Sequence, residues 1–496
     1  MKKLKELFAP VDLTKGNIIT TFLKFLIPIV LSQLFQQVYT LTDSIIVGQT
    51  LSPNAVAGVN DSSTMVSIVL WFALGCTSGF SIVISREVGL NDKEALRRNF
   101  TLQIFLSVLV SVILTVIAIF LINPMLSMLK IHPSSTDSNM QEIYEAAYHY
   151  VFIIYLGIIA QMFYNLIVAV LRALGDSFTP FLFLLFSTVL NIGLDLLFII
   201  TFHMGVDGSA WATILSQGIA AIGAFIYGYI RYPELRMHKS DWKFLKHDVA
   251  DNLKLGIPLG FQYSILFIGV VVMQAAIVSF DLTPEGVVAD GNPAQVGFGV
   301  ANKLNTIFQT LYNSIGTGFL SFVSQNYGAG NRKRLQKGYK VCILFGLISY
   351  ALNLILTFTL TINGAYQYLF LSADKINAAT IRYGNLFLYC DGVFGIVLFF
   401  LYVGRCGMQG LEKPLYPLLA GVGELVARFL FCLILPPLFN NGPINSSASD
   451  WIYICVCLGD AFAWICSTVI TFPKLTKIIF SRKDSREASY NSENPK

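Results

Sequence analysis

Among the ionisable side chains in and beside the long apolar runs of this 496-residue sequence, where a charge is costly, six are candidates for a function. They are Asp43, Asp195, Asp391, Glu424, Arg428 and Asp460. A charge near the centre of a bilayer costs about 2.5–3.5 kcal/mol on insertion scales, so each of these residues requires a partner or a function. The acids that lack a nearby cation are therefore the first candidates for chemistry.

Glu424 and Arg428 are four residues apart and share one helix face, so they can neutralise each other. The chain is internally repeated, as described below, and an offset of 233 places Asn191 and Asp195 at the equivalent positions. Asp195 therefore has an amide where its counterpart has a cation. We predict a structural ion pair for Glu424 and Arg428, and a binding role for Asp195.

Asp43 is the second unpaired acid, and it follows polar residues at Gln36, Tyr39 and Thr40. Their helical spacing places Gln36, Tyr39 and Asp43 on one face. Packing against another helix accounts best for the glutamine, but packing does not require a carboxylate. If Asp43 and Asp195 share a pocket, they can take up a proton, or a hard cation when other oxygens complete the shell.

The composition is that of a membrane protein, with 55% hydrophobic and 13% charged residues. Soluble domains carry about 25% charged residues, so a disordered chain, a disulfide scaffold and a nucleic-acid binder are excluded. The eight cysteines and five histidines lack metal-ligand spacing, and we expect no cofactor and no cleaved signal peptide.

A transmembrane helix needs about 20 apolar residues to cross the bilayer. We count twelve such segments, near residues 17–42, 54–84, 99–122, 146–171, 180–202, 209–230, 254–280, 295–325, 339–362, 380–404, 415–438 and 451–472.

Basic residues favour one side of the predicted membrane. With both termini in the cytoplasm, 28 of the 34 Lys and Arg residues, Arg405 among them, lie on the cytoplasmic side. The opposite loops clearly hold only Lys130 and Lys375, beside several acids. Because cytoplasmic loops of membrane proteins are enriched in Lys and Arg, we predict a multi-pass protein of the cell inner membrane with cytoplasmic termini.

The two halves of the chain repeat one another. The motif LKFLIP at 23–28 matches LKLGIP at 253–258, and Ser85 and Gly89 match Ser324 and Gly328 at an offset of 239. Each half has an even number of spans, so the copies are parallel, and such repeats place a transport cavity between the lobes. We predict an N-lobe at 1–235, a cytoplasmic linker with an amphipathic helix at 236–252, a C-lobe at 253–472 and a cytoplasmic tail at 473–496.

These motifs, taken in order, resemble the multidrug and toxic compound extrusion (MATE) transporters, in particular the bacterial branch similar to DinF and MepA. The resemblance covers nearly the whole chain. It rests on Pro28, Gln36 and Asp43-x4-Gly48, on LRALGDSFTP at 171–180, on Asn191-x3-Asp195, on GSAWAT at 208–213 and on SQNYGAG at 324–330. It implies twelve transmembrane helices in two pseudo-symmetric six-helix lobes that form a V.

The family exchanges inward H⁺ or Na⁺ for outward drugs by alternating access between its lobes. The resemblance implies a cation-coupling site, open to a proton or to Na⁺, at Asp43, Asn191, Asp195 and Thr213. It also implies a bend of the first helix at Pro28. We assign the predicted substrate cavity to Gln36, Tyr39, Asn165, Gln262 and Asp391. NorM-like members carry a Glu in helix 7 that span 7 lacks here, which favours protons over sodium.

Three functions compete. The first is a secondary antiporter, functional as a monomer, that exports organic and often cationic aromatic compounds. The alternative is a flippase for a lipid-linked saccharide precursor, which would need cations in its cavity to bind phosphates. Arg428 is the one deeply placed cation that the sequence indicates, and we expect Glu424 to pair with it. The third is a membrane-embedded enzyme, but HExxH, GxSxG and Walker motifs are absent from the sequence, so we expect none.

Overall fold

The computed structural model describes residues 9–129, 131–133, 137–288, 291–372 and 376–481. The regular structure of these residues is helical, apart from one isolated bridge between Leu282 and Val288. The predicted all-α class is therefore confirmed. Part of the predicted charge asymmetry lies outside the described residues, namely the basic residues of the first eight positions, Lys130, Lys375 and the tail from residue 482 onward.

Long helices dominate the described chain. Their bounds are α1 Ile18–Thr50, α2 Pro53–Leu90, α3 Lys93–Met128, α4 Ser138–Leu156, α5 Ile158–Ala173, α6 Phe178–Asp195, α7 Gly205–Arg231, α8 Lys246–Val278, α9 Pro293–Gly328, α10 Arg332–Leu360, α11 Ala378–Gly410, α12 Leu415–Phe429, α13 Leu435–Phe439 and α14 Asp450–Phe480. Short π-helical segments follow α6 and α12, at Leu196–Thr201 and Leu430–Ile434.

Among the described residues, ten helices are long and apolar enough to cross a bilayer, or eleven when α4 and α5, bent by 48°, count as one span. The chain is thus a multi-pass membrane protein. The predicted count of twelve is not fully confirmed, because the span expected near 295–325 lies in α9. That helix has 36 residues but is not among the helices that are apolar enough to cross a bilayer by length and composition.

Side-chain caps determine where several helices begin. Immediately before α1, the Asn17 Oδ1 accepts hydrogen bonds from the backbone amides of Ile19 and Thr20, at 3.0 and 3.3 Å. Ser52 caps α2 and is followed by Pro53, a residue whose fixed φ suits the first helical position. Because such caps satisfy amides that have no partner within the helix, they make the two-residue turn between α1 and α2 sharp.

The chain divides into two compact units. The first comprises Met1–Ser264 with Ser324–Ala329, and the second comprises Ile265–Val323 with Gly330–Lys496. In the first unit α2 packs against α3, α4 and α5, and α7 packs against α5 and α6. In the second unit α14 packs against α11 and α12.

Each unit has its own hydrophobic core. Aliphatic side chains around Phe80 and Met162 fill the first unit between α2, α3 and α5. In the second unit, aromatic pairs bind the helices together: Phe298 contacts Phe387 with ring centroids 4.8 Å apart. Since aromatic pairs contribute beyond the area that they bury, these contacts stabilise the second unit.

The predicted amphipathic helix near 236–252 is not a separate element. Residues Lys239–Trp242 form a short 3-10 turn, and the helix that begins at Lys246 continues without interruption as α8. The turn is fixed because Asp241 accepts the amide of His238 at 2.6 Å and pairs with Arg97 at 2.7 Å.

Glycines bring the backbones of α2 and α8 into direct contact within the first unit. Gly75 and Gly79 on α2 face Gly256 and Gly260 on α8, two small-x-x-x-small patterns of the kind that lets membrane helices approach closely. A Cβ on Gly79 would lie 2.6 Å from the Gly256 Cα and from the Leu255 carbonyl oxygen. Backbone atoms cannot turn away as a side chain can, so this contact requires glycine.

We predict that Gly79→Ala lowers the melting temperature of the detergent-solubilised protein, because overpacking costs about 1–3 kcal/mol. Gly48→Ala on α1 is the matched control, since a Cβ there meets nothing within 4 Å. The control variant should be neutral or slightly stabilising, because alanine is the better helix former. Equal melting temperatures for the two variants would contradict close backbone packing at Gly79.

Candidate functional site

The carboxyl end of α6 carries two of the predicted coupling residues. Asn191 and Asp195 lie one turn apart, and both are 0% exposed. The amide atoms of Asn191 and both carboxylate oxygens of Asp195 have no hydrogen-bond partner among the described residues. Buried polar atoms without partners are costly, so these two side chains are candidates for binding an ion or a water molecule.

The π-helical segment begins at the residue after Asp195, where the regular hydrogen-bond ladder of α6 ends. Such π-helical turns are rare and occur frequently at functional sites, because they change the direction of neighbouring side chains. The sequence motif Asn191-x3-Asp195 gave no sign of this change in helix type.

Helix α1 contributes Asp43, which is half-buried and whose Oδ1 has no partner among the described residues. The neighbouring hydroxyls cannot serve it, because they bond to their own helix. Thr40 donates to the Gln36 carbonyl oxygen at 3.0 Å, and Ser44 donates to the Thr40 carbonyl oxygen at 2.8 Å. The carboxylate of Asp43 is therefore left available to other helices.

The structure brings the acids of α1 and α6 together. Asp43 and Asp195 are close enough to interact electrostatically, and Tyr150 of α4 interacts with both carboxylates. The Tyr39 hydroxyl interacts with Thr213 of α7. Tyr150 was missed by the sequence analysis because α4 carries several tyrosines, and no spacing relates one of them to a residue on α1.

This cluster can hold a proton between two carboxylates, with Tyr39, Tyr150 and an amide as neighbouring polar groups. It can also offer a hard cation the mixed oxygen donors that sodium prefers. Among the described residues, no group of three or more His, Cys, Asp or Glu could hold a metal ion. A sodium ion would therefore need the oxygens of Asn191 and Thr213 as well as the two carboxylates.

The other predicted cavity residues are spread over both units. In the first unit, Gln36 and Asn165 are half-buried, and Gln262 on α8 is fully buried. Asp391 belongs to the second unit, where it is buried and accepts a hydrogen bond from Asn305 at 2.5 Å. Their role in binding substrate stays a prediction.

Pro28 is buried inside α1, which continues on both sides of it. Because a proline has no amide hydrogen, Pro28 cannot donate to the carbonyl oxygen of Lys24, one turn earlier. One turn later, the Ser32 hydroxyl donates to the Pro28 carbonyl oxygen at 2.8 Å. The bend that the resemblance implies at this position stays a prediction.

The second unit holds a network of buried charges on three helices. Arg405 of α11 pairs with Glu424 of α12, and Arg428 of α12 pairs through Nε with Asp460 of α14 at 2.7 Å. Glu424 and Arg428, the pair that we inferred from spacing, are 3.8 Å apart. Each charge is thus compensated, but the closest partner of each residue lies on another helix.

The sequence expectation of a single deep cation is therefore wrong. Arg405, which we had counted among the cytoplasmic charges, is 7% exposed, and Arg428 is 6% exposed. Counting charges along the chain cannot distinguish an arginine near the end of a helix from one that points into the core. The acid that holds Arg405, Glu424, is 19 residues away in sequence.

We predict that Arg405→Met lowers stability more than the double change Arg405→Met, Glu424→Gln. Removing one partner leaves an uncompensated buried charge, a loss of about 3–5 kcal/mol, whereas removing both leaves none. Thermal unfolding of the purified protein in detergent measures the coupling between the two changes. The coupling of Glu424→Gln with Arg428→Met should be weaker, given the longer distance. Strict additivity for Arg405 and Glu424 would show that they do not act as a pair.

Comparison with known proteins agrees with this architecture. A family model described as MatE matches residues 28–197 and again residues 294–434. The probable multidrug resistance protein YpnP of Bacillus subtilis is 33% identical over 332 residues, which cover 65% of this chain and 68% of YpnP. The probable multidrug resistance protein YoeA of the same organism is 29% identical over 328 residues, 65% of this chain and 68% of YoeA.

A solved structure, described as an outward-facing conformation of a multidrug resistance MATE family transporter of the MOP superfamily, shares the fold. It aligns with a TM-score of 0.77 and 20% identity, over 95% of this chain and 98% of that one. The resemblance inferred from the motifs is thereby confirmed. The chain belongs to the MatE family, and it is a multi-pass membrane transporter rather than an enzyme.

Proposed function

We propose that this protein is a proton-coupled antiporter that exports organic, often cationic aromatic compounds across the inner membrane, by alternating access and as a monomer. The observation that carries the proposal is the pair of carboxylates, Asp43 and Asp195, whose buried oxygens have no hydrogen-bond partners among the described residues. The names of the relatives, probable multidrug resistance proteins, support the substrate class. We also propose that both termini are cytoplasmic, as the charge asymmetry favours.

Coupling follows from the electrostatics of the pair. Two neighbouring carboxylates in a poorly solvated site repel each other when both are ionised, and a proton shared between them removes the repulsion. Tyr39 and Tyr150 interact with these acids but carry no positive charge, so neither can replace the proton. Proton binding can thus favour one conformation of the first unit over another, and this difference is what a coupling ion must supply.

Protons are preferred over sodium for two reasons. Two carboxylates are sufficient to bind a proton, whereas sodium needs the additional oxygens of Asn191 and Thr213. The further acid expected of sodium-coupled NorM-like relatives is absent from α8 in the segment Leu259–Phe267. Moving one charge inward through 100 mV supplies about 2.3 kcal/mol, so one proton can drive export of a neutral compound. Export of a monocation against one proton moves no net charge and depends on the pH gradient, or on two protons.

A flippase for phosphate-bearing lipids is less well supported. It would require cations that are free to meet phosphates, but acids already hold Arg405 and Arg428, the buried arginines of the described second unit. Releasing either arginine would leave a buried carboxylate without its partner, which is costly.

We predict that Asp43→Asn and Asp195→Asn each abolish gradient-driven efflux in proteoliposomes while preserving folding. The substitutions keep the size of each side chain and remove only its ability to bind and release a proton. Asp61→Asn is the matched control, because Asp61 is an exposed carboxylate on α2. A wild-type rate in either site variant, with the control equally active, would contradict the assignment.

The driving ion is tested by imposing one gradient at a time on proteoliposomes loaded with ethidium. A pH gradient in sodium-free buffer should drive its transport, and a sodium gradient at equal pH should not. Asp195→Asn should eliminate the response, because it removes one carboxylate of the pair. Transport driven by sodium alone would overturn proton coupling while leaving the same site as the candidate for sodium.

A further inference from the structure

The segment before α1 is held within the first unit by hydrogen bonds. The Val11 amide donates to the Gly175 carbonyl oxygen at 3.0 Å, and the Leu13 amide donates to Gln325 Oε1 at 3.2 Å. The Leu13 carbonyl oxygen accepts from Asn326 Nδ2 at 3.1 Å. Leu13 itself is fully buried. We call residues Val11–Leu13 the strap.

Gln325 binds two structures at once. Its Oε1 accepts from the strap, and its Nε2 donates to the Ala173 carbonyl oxygen at the end of α5, at 2.7 Å. Gln325 and Asn326 belong to the sequence SQNYGAG, which the coupling site does not use. The two amides therefore connect the end of α9 to the strap and to α5.

The ends of α2 and α9 cross in close contact, with one glycine of each helix at the crossing point. A Cβ on Gly89 would collide with the Gln325 carbonyl oxygen, and a Cβ on Gly328 would collide with the Arg86 carbonyl oxygen. These two contacts are equivalent under the repeat, because the offset of 239 relates Gly89 to Gly328 and Arg86 to Gln325. Ser324 adds a hydrogen bond across the crossing, to the Ile82 carbonyl oxygen at 3.1 Å.

The two equivalent residues of the crossing, Arg86 and Gln325, make different kinds of contact with the segments beside them. Arg86 forms an ion pair with Asp251 at the start of α8, at 3.1 Å. Its equivalent, Gln325, holds the strap at the start of α1 with neutral hydrogen bonds. A neutral hydrogen bond contributes only about 0.5–1.5 kcal/mol net, and one to a charged group about 1.5–3 kcal/mol. The strap is therefore the contact that separates at lower cost.

We propose that the strap is a latch: residues Val11–Leu13, held by Gln325 and Asn326, keep the crossing of α2 and α9 closed and must release when this end of the first unit opens during transport. The proposal goes beyond the coupling mechanism and does not depend on which ion drives transport. It assigns a function to the amides of the SQNYGAG motif. It also places a conformational contact directly before α1, the helix that carries Asp43.

The test uses the full-length protein in nanodiscs and measures the latch and the crossing separately. Hydrogen exchange of the peptide containing Leu13 reports release of the strap. A second readout uses Ser85→Cys, a near-isosteric change at a buried position of the crossing. Labelling of the introduced thiol by a membrane-impermeant maleimide, quantified peptide by peptide by mass spectrometry, reports opening.

Asn326→Asp is the principal variant, because it replaces the donor to the Leu13 carbonyl oxygen by a carboxylate oxygen without changing size. Gln325→Ala is the second variant if the first does not fold. Gln336→Ala is the matched control, since Gln336 also donates to a backbone carbonyl oxygen, that of Ile479, at 3.0 Å within the second unit.

We expect strap exchange and thiol labelling to rise together in the latch variants, by about five- to tenfold for the loss of roughly 1 kcal/mol of hydrogen bonding. The control should leave both unchanged. Faster exchange of the strap without faster labelling would show that the strap does not close the crossing, and unchanged exchange would show that the amides do not hold it. An equal rise of exchange and labelling in the Gln336→Ala control would show that the substitutions destabilise the protein in general and do not act through the strap. Each of these three results overturns the latch, and none of them depends on transport or on an ion gradient.

Discussion

The cost of burying a charge in a low-dielectric interior is the constraint on which the rest of this structure depends. The chain meets it in two ways. In the second unit, Arg405, Glu424, Arg428 and Asp460 compensate one another across three helices. In the first unit, Arg97 and Arg98 pair with the buried Asp241 and Asp248, whereas neither Asp43 nor Asp195 forms an ion pair among the described residues. The charges of the second unit are compensated within the protein, whereas we propose that Asp43 and Asp195 are compensated by an ion from outside it.

Duplication explains how one chain contains both solutions. The positions that carry Asn191 and Asp195 in α6 carry Glu424 and Arg428 in α12, and a π-helical segment follows each helix at nearly the same offset. The backbone has thus kept its geometry while the side chains diverged. Different residues at these two pairs of equivalent positions separate the coupling site that we propose in one half from the ion-pair network in the other.

The fold class and the candidate site could be predicted because both leave local signals. Apolar length identifies spans, and acids in apolar runs such as Asp43 and Asp195 stand out in the sequence. Partners that lie on other helices leave no such signal, which is why Tyr150 and the pairing of Arg405 with Glu424 were missed. Helix α9 shows a second limit, because the segment near 295–325 that we count as a span lies in a long helix that is less apolar than the ten that could cross a bilayer.

The contacts between helices differ in how easily they can separate during a conformational change. The glycine seam between α2 and α8 joins backbones with no side chain to rearrange, so it can separate only by moving whole helices. Buried ion pairs resist separation for a different reason, since each partner would lose its compensation. A transporter must nevertheless change conformation, and neither kind of contact separates without moving whole helices or leaving a charge uncompensated. Neutral amide hydrogen bonds, such as those between Gln325, Asn326 and the strap, have the strength that such a change requires, because water can replace them at little cost.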